Sequence, residues 1–341
     1  MSIFVPMISV IMPSFNTPVE MLTKAVDSVL EQTYDNFELL IIDDCSTDAS
    51  VEYLASLRDE RVKVIRNPQN LGITKSLNVG LSHAHGQYIA RMDSDDICLP
   101  QRFEKQLAFM EANPEVIVCG TWIQAFGGAS YTTKRVIPEQ DYLQCSFLFG
   151  NTYGLCHPTA FFRGELLRKY GIRYDENLPT AQDYGMWTLC AQYGKIANVE
   201  EVLLNYRVHN GQISVAKRQL QMQCALRVQT AILKQIMPEI TEEQAQLHVQ
   251  MCRERKPAKK LTSWIRKLEK ANSKCAAYDP AVFCRVAEDF LKQKFTDYAR
   301  IVGTPMQMLG LALYCPFNVR SAVLKILFAR MTRRKKSREV L

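Results

Sequence analysis

The 341-residue chain is 47% hydrophobic and 23% charged, the composition of a globular protein able to bury a sizeable core in one large domain with an appendage or in two domains. Eleven cysteines, an odd count with no CxxC pair, exclude a disulfide framework and suit buried, reduced thiols in a cytosolic protein. The net charge of +7 is unevenly held: residues 1–250 carry 21 Lys+Arg against 28 Asp+Glu, while residues 251–341 carry 21 against 7, so an acidic body precedes a basic region suited to an anionic partner.

The opening Met1-Ser2-Ile3-Phe4-Val5-Pro6 runs into a strand-like segment and has no signal-peptide pattern. Met7 to Met12 is a short apolar run fitting a buried strand. Thr17-Pro18-Val19-Glu20 offers a capping-box Thr and Glu around Pro at the first helical position, and Met21, Leu22, Ala25, Val26, Val29 and Leu30 continue it as an apolar helical stripe. Phe37 to Ile42 reads as a second strand ending in Asp43-Asp44. Arg61 to Ile65 and Gln87 to Arg91 read as strands, Thr74 to Ala84 and Gln101 to Ala112 as helices, and Val116 to Cys119 as a further strand. This alternation predicts an α/β fold with a mostly parallel sheet and helices on both faces. Ligands of such sheets bind beyond the carboxyl ends of the strands, where Asp43, Asp44, Asp93 and Asp95 all fall.

From about residue 215 strand-like runs give way to Lys/Arg/Gln/Leu-rich helical segments. The expected division is therefore a first domain over 1–215 and a basic helical C-terminal region over 216–341. The most apolar stretch, near Ile301 to Pro316, is broken by Gly303, Pro305 and Gly310 and is too short to span a bilayer.

Asp93-Ser94-Asp95-Asp96 places three carboxylates within four residues, directly after a strand. Such crowding suits a hard cation, Mg²⁺ or Mn²⁺, bridging protein carboxylates to phosphates; it equally suits a cap on the helix that follows Pro100. The strand-end position favours the ligand site.

Five segments in order resemble the inverting glycosyltransferases of family 2, with their GT-A nucleotide-sugar fold. They are Ile8 through Asn16, Ser28 through Tyr34, Glu38 through Asp48, Asn70-Leu71-Gly72 with Asn78-Val79-Gly80, and Tyr88 through Pro100 with its DXD motif. The resemblance implies that Pro13 and Asp44 flank a uracil base. It implies too that Asp93, Ser94 and Asp95 hold a nucleotide-sugar diphosphate through Mn²⁺ or Mg²⁺, with Asp95 on the metal and Asp93 on the metal or the ribose. Asp96 is expected to cap the next helix. Thr180 through Trp187 resembles the family's acidic-dipeptide motif with Gln182 in place of its first acid, so the implied general base is Asp183; its bland alternative is a helix cap. His209 resembles a histidine that reaches the metal or diphosphate, whereas His157 is expected to be a hydrogen-bonded structural residue and Lys75 an ordinary exposed lysine.

The function implied is transfer of a hexose or N-acetylhexosamine from a UDP-sugar to a glycan or lipid-linked glycan acceptor, in surface polysaccharide or lipopolysaccharide synthesis. A nucleotidyltransferase on a similar sheet is one alternative, and an inactive sugar-nucleotide-binding relative is another. After Pro316, Val319, Val323, Ile326, Leu327 and Met331 share one helical face and the run Arg333-Arg334-Lys335-Lys336 follows. That pattern suits either an anionic membrane surface or packing on the protein body, and the expected location is cytoplasmic, peripheral on the inner membrane. No nucleic-acid-binding module accompanies the charge.

Overall fold

The computed structural model describes residues 6–134, 136–152, 155–209, 218–254, 256–257, 260–302, 307, 311 and 316–338. Two compact units divide the chain, one made of residues 1–140 and 152–225, the other of residues 141–151 and 226–341.

The first unit opens with β1 (Ile8–Ser14), α1 (Val19–Leu30), β2 (Phe37–Asp43), α2 (Ser50–Ser56), β3 (Val62–Arg66), α3 (Ile73–His83) and β4 (Tyr88–Arg91). β5 (Ile97–Cys98), α4 (Arg102–Ala112), β6 (Val116–Gly127) and β7 (Tyr131–Thr133) follow, then α5 (Gln140–Phe147), all but its first residue in the second unit. β8 (Phe161–Arg163), α6 (Gly164–Lys169), α7 (Gln182–Cys190) and β9 (Lys195–Val208) complete it.

The strands lie in the order β3-β2-β1-β4-β8-β6-β9-β5, with β7 paired to β6. β3, β2, β1 and β4 are mutually parallel, as the strand and helix alternation predicts. The remainder is mixed: β8 runs antiparallel to both β4 and β6, while β9 is parallel to β6. β6 extends well past the expected Cys119, because its second half alternates buried and half-buried residues and stays paired to β9 through register shifts. A continuous apolar run is therefore not its signature.

All seven residues of β1 and all seven of β2 are buried. Val10, Met12, Leu39 and Ile41 pack with Leu22, Val26 and Val29 of α1 and Phe103 of α4 in one apolar core. The chain leaves β1 on one side for β2 and β3 and returns on the other as β4. That reversal opens a crevice at the carboxyl ends of β1, β2 and β4. Thr17 does not cap α1, which begins after Pro18 with no side-chain cap; its hydroxyl is spent in the crevice instead.

α8 (Arg218–Ile236) runs across the division. The second unit continues with α9 (Glu242–Arg253), α10 (Leu261–Cys275), α11 (Pro280–Ile301) and α12 (Phe317–Arg338). Thr241 caps α9 and Asp279 caps α11 through their side chains. His248 is fully buried here, accepting from Trp264 Nε1 at 2.9 Å and lying 2.8 Å from the Leu148 carbonyl. Burial pushes its pKa down to about 4, so it serves as a neutral core residue. In α12, Val319, Val323 and Leu327 are buried, the helix packs on α11, and Asn318 donates to Glu288 at 3.2 Å. These three residues of the stripe, which suited either a membrane or the body, are packed within the protein, and the side chain of Met331 lies outside the described residues. Among the described residues no helix is long and apolar enough to cross a membrane.

The ten described cysteines are free, and Cys315 lies outside the described residues. Burial raises the Cys119, Cys145 and Cys252 thiols to about 12, leaving them protonated and unreactive.

Candidate active site

A cavity of about 670 Å³ opens in the crevice of the first unit. Pro13 and Ser14 line it from the end of β1, and Asp44 from just beyond β2. Asp43 is turned away, accepting from Arg66 Nη1 at 2.6 Å and from the Ser46 amide at 3.0 Å. Asp44 is 4% exposed and organises its own wall of the cavity. Its Oδ1 accepts from Asn67 Nδ2 and the Leu71 amide, and its Oδ2 from the Gly72 amide, each at 2.8 Å. Gly72 needs its missing side chain here, since it turns with φ of 83°. One lone pair of Oδ2 is left to meet a ligand.

The acidic loop is pinned from three sides. At the end of β4 the Arg91 amide donates to the Ala160 carbonyl at 2.8 Å, and Arg102 Nη2 donates to the Arg91 carbonyl at 2.7 Å. From β9, the Arg207 amide donates to Asp96 Oδ1 and Arg207 Nε to the Asp95 carbonyl, both at 2.7 Å. From beyond β1, the Thr17 hydroxyl bonds that of Ser94 at 2.8 Å. Asp96 thus ties the loop to β9 and does not cap α4, whose N-cap position is Gln101. Ser94 lines the cavity, but its hydroxyl already has this partner.

Carboxylate oxygens of Asp93, Asp95 and Asp96 lie within 4.8 Å of one another. Burial first, then the charge of Asp93, raises the Asp95 pKa; the same causes with Asp95 added hold Asp96 well above the usual carboxylate range. His209 Nε2 stands 3.0 Å from Asp95 Oδ2. A cluster of oxygen donors whose mutual repulsion opposes ionisation, beside one imidazole, fits a hard divalent cation. Arg91 supplies the positive charge the cluster does have: its guanidinium is buried and Nη2 donates to Asp93 Oδ1 at 2.5 Å.

Asp183 enters from the far wall in the first turn of α7, with its Oδ1 accepting from the Tyr184 amide at 2.8 Å. Burial raises its pKa, opposed by that amide and by Arg91. A raised carboxylate is a stronger base, and the local hydrogen bond that would make it a mere cap leaves Oδ2 to do other work. Gln182 lines the cavity beside it. The preceding Ala181 holds φ of 53°, a strained conformation for a residue with a Cβ. Asn16 on the opposite lip shares it with φ of 47°. His157 is buried, with Nε2 2.7 Å from the Tyr174 hydroxyl, and burial drives its pKa well below the usual value. Lys75 is exposed on α3 and is not among the residues lining the cavity.

The structure therefore brings Pro13, Asp44, Asp93, Ser94, Asp95, Asp183 and His209 to one cavity. Sequence reasoning missed Arg91, read only as a strand end, and Thr17, read as a helix cap. A basic residue closing an otherwise apolar strand was the available signal for Arg91.

Residues 9–171 match the model of glycosyl transferase family 2. An uncharacterized glycosyltransferase of Haemophilus influenzae is 30% identical over 236 residues, 65% of this chain and 72% of that protein. The amylovoran biosynthesis glycosyltransferase AmsE of Erwinia amylovora is 29% identical over 57% of this chain and 73% of its own. The fold is that of TarS 1–349 of S. aureus, solved with UDP-GlcNAc (TM-score 0.58, 20% identity, 83% of this chain and 91% of that one). It is also that of a Pyrobaculum calidifontis mannosyltransferase solved with GDP-Man and Mn²⁺ (TM-score 0.51, 17% identity, 96% and 86%). The sheet and the helices packed on it have the GT-A fold. The chain belongs to glycosyltransferase family 2.

Proposed function

We propose that this glycosyltransferase moves a hexose or N-acetylhexosamine from a UDP-sugar to a glycan hydroxyl with inversion, in the synthesis of a surface polysaccharide or lipopolysaccharide. The observation that carries it is the single cavity in which Asp44, the Asp93–Asp95 pair and Asp183 stand on different walls. Family membership sets aside a nucleotidyltransferase.

Pro13 and the spare lone pair of Asp44 Oδ2 hold the uracil, whose N3–H is a donor at that edge. Asp93 and Asp95, with His209, would hold Mn²⁺ or Mg²⁺, which supplies positive charge against the departing diphosphate. Asp183 takes the proton from the attacking acceptor hydroxyl, its raised pKa favouring the transfer. Gln182 offers an amide to the acceptor's neighbouring hydroxyls. One base and one departing diphosphate give a direct displacement at the anomeric carbon, and so inversion. Support for a UDP-sugar and a polysaccharide product comes from the UDP-GlcNAc-bound fold neighbour and from the amylovoran relative. The basic C-terminal region supports a peripheral position on the cytoplasmic face of a membrane, where a lipid-linked acceptor would be met.

The test is thermal stabilisation of the protein by UDP-, GDP- and dTDP-sugars with and without Mn²⁺, since specific binding raises stability by mass action. Metal-dependent stabilisation by a UDP-sugar alone supports the reading. Stabilisation only by GDP-sugars overturns the assignment of Asp44 to a uracil, and stabilisation only by dTDP-sugars, whose thymine presents the same N3–H, overturns the UDP-sugar donor.

A further inference from the structure

α10 and α11 pack on one another but carry their charges differently. In α10 the inward residues Leu261, Trp264, Ile265, Leu268 and Asn272 are buried. Arg266, Lys267, Lys270 and Lys274 are all exposed. At the helical repeat these four fall within an arc of about 100° on the opposite side, along about 12 Å of the axis. The one carboxylate of the helix, Glu269, is half-buried on the flank of that arc, where it feels the charges of Arg266 and Glu288. Lys267 Nζ lies 5.3 Å from the centre of the Trp264 ring of its own helix. Exposed Lys256 and Lys260 precede the helix, and residues 253–274 hold 9 Lys+Arg against 2 Asp+Glu.

Such a face repels itself. Arg266 with Lys270 and Lys270 with Lys274 are like-charge pairs four residues apart, and Lys267 with Lys270 is one three apart; each weakens the helix. Among the described residues none of the four cations forms an ion pair with a carboxylate. α11 shows the ordinary solvated pattern instead. It mixes Arg285, Lys292, Lys294 and Arg300 with Glu288, Asp289 and Asp297, and Arg300 pairs with Asp297 at 2.6 Å. An unrelieved row of cations calls for an anionic partner. The row lies on the convex outside of a helix, so its side chains diverge and do not converge on one small anion. A plane of anionic headgroups meets all four at once.

We propose that Arg266, Lys267, Lys270 and Lys274 form an electrostatic docking face by which α10 lies along the headgroups of an anionic bilayer. The inference rests on the peripheral-membrane part of the function above and names the surface responsible; it is independent of donor and base. The contact is one of charge at phosphate level, without insertion of apolar side chains, so it weakens as salt screens it. The buried side of α10 stays packed on α11 throughout, and substitutions confined to the exposed row leave that packing intact.

The experiment is co-sedimentation of the full chain with phosphatidylglycerol-containing and pure phosphatidylcholine vesicles at low and high salt. It compares the wild type with Arg266→Gln/Lys270→Gln/Lys274→Gln and with a control of equal charge loss on the first unit, Lys24→Gln/Lys169→Gln/Lys195→Gln. The expected result is salt-sensitive binding to the anionic vesicles alone. Removal of three cations from α10 should weaken it roughly 100-fold, about fivefold for each, and the control should weaken it far less. The α10 variant should keep the wild-type melting temperature, or exceed it as the repulsion is relieved. Vesicle binding that the α10 variant retains in full would overturn the docking face while leaving the membrane reading to another surface. Equal losses in the two variants would overturn it in favour of net charge alone. No vesicle binding by the wild type would overturn the face and the membrane reading together, with the glycosyltransferase assignment untouched. Binding to soluble polyphosphate but not to vesicles would assign the row to a dissolved polyanion and overturn the proposal.

Discussion

Arg91 Nη2 donates to Asp93 Oδ1 across 2.5 Å, from a guanidinium whose Nε and Nη1 are buried without a hydrogen-bond partner among the described residues. A buried guanidinium with two idle donors is a cost to the fold, on the order of 1–3 kcal/mol for each unpaired group. What it does for the site is electrostatic. Its charge favours ionisation of Asp95, Asp96 and Asp183 alike, so one cation acts on both the acidic loop and the proposed base. Arg91→Gln is expected to lower kcat/KM by roughly 10–100-fold, while Arg91→Lys, which keeps the charge and loses the fork, loses less. Equal losses in the two variants would mean that shape, not charge, is what Arg91 contributes.

The same relationship sets a pH dependence. In the proposed role Asp183 must be ionised to accept a proton, and burial raises its pKa above that of an ordinary aspartate. Activity is therefore present above the raised pKa and lost as pH falls through it. Arg91 opposes the rise, so Arg91→Gln should move the acid limb of the kcat/KM profile to higher pH. Asp183→Asn should abolish the limb and cost about 10²–10⁴-fold in turnover while calorimetry still records UDP binding. An Asp183→Asn enzyme with full turnover would place the base elsewhere.

Asp95 gives a prediction with opposite signs in two conditions. Without metal, its carboxylate sits close to those of Asp93 and Asp96 and its pKa is raised, so Asp95→Asn relieves repulsion. The melting temperature of the variant in chelator should equal or exceed that of the wild type. With Mn²⁺ added, the wild type should gain stability and the variant should not, and Mn²⁺-dependent turnover should vanish. A variant that still gains stability from Mn²⁺ would remove Asp95 from the metal site.

How much of this was legible beforehand follows from the kind of signal each feature leaves. β1 and β2 were readable because both faces are buried, which demands an unbroken apolar run. Placement of Asp44, Asp93 and Asp95 followed, since acidic residues that end such runs have to fall at one sheet edge. Cys156 through Arg163 resembles a strand of the family, but the antiparallel direction of β8 was not readable, since its three residues, Phe161 to Arg163, carry no periodicity. Thr17 and Asp96 were read as caps because capping is a local pattern. Their actual partners, Ser94 and Arg207, are 77 and 111 residues away, and only the folded sheet brings them together. For α12 the pattern showed one apolar face, and its residues Val319, Val323 and Leu327 are buried.

Asp44 carries the last prediction, and here the structure changes what substitution would mean. Sequence alone made it a contact for the base. Three donors from Asn67, Leu71 and Gly72 already converge on it, so it also builds the wall against which a base would lie. Asp44→Asn keeps the size but offers an amide N–H₂ in place of one oxygen. Because Asn67 and Leu71 share Oδ1, the oxygen of the new side chain is best kept there, and the amide then faces the Gly72 amide, donor against donor. The half-buried Gly72 N–H loses its partner at a cost of about 1 kcal/mol. The melting temperature should fall by several degrees and UDP affinity by at least about 10-fold, with added Mn²⁺ still raising stability because the acidic loop is on another wall. Lost UDP affinity at an unchanged melting temperature would show that Asp44 acts on the ligand alone. Unchanged affinity with lost stability would confine it to holding the Leu71–Gly72 turn and pass base recognition to Pro13 and its neighbours.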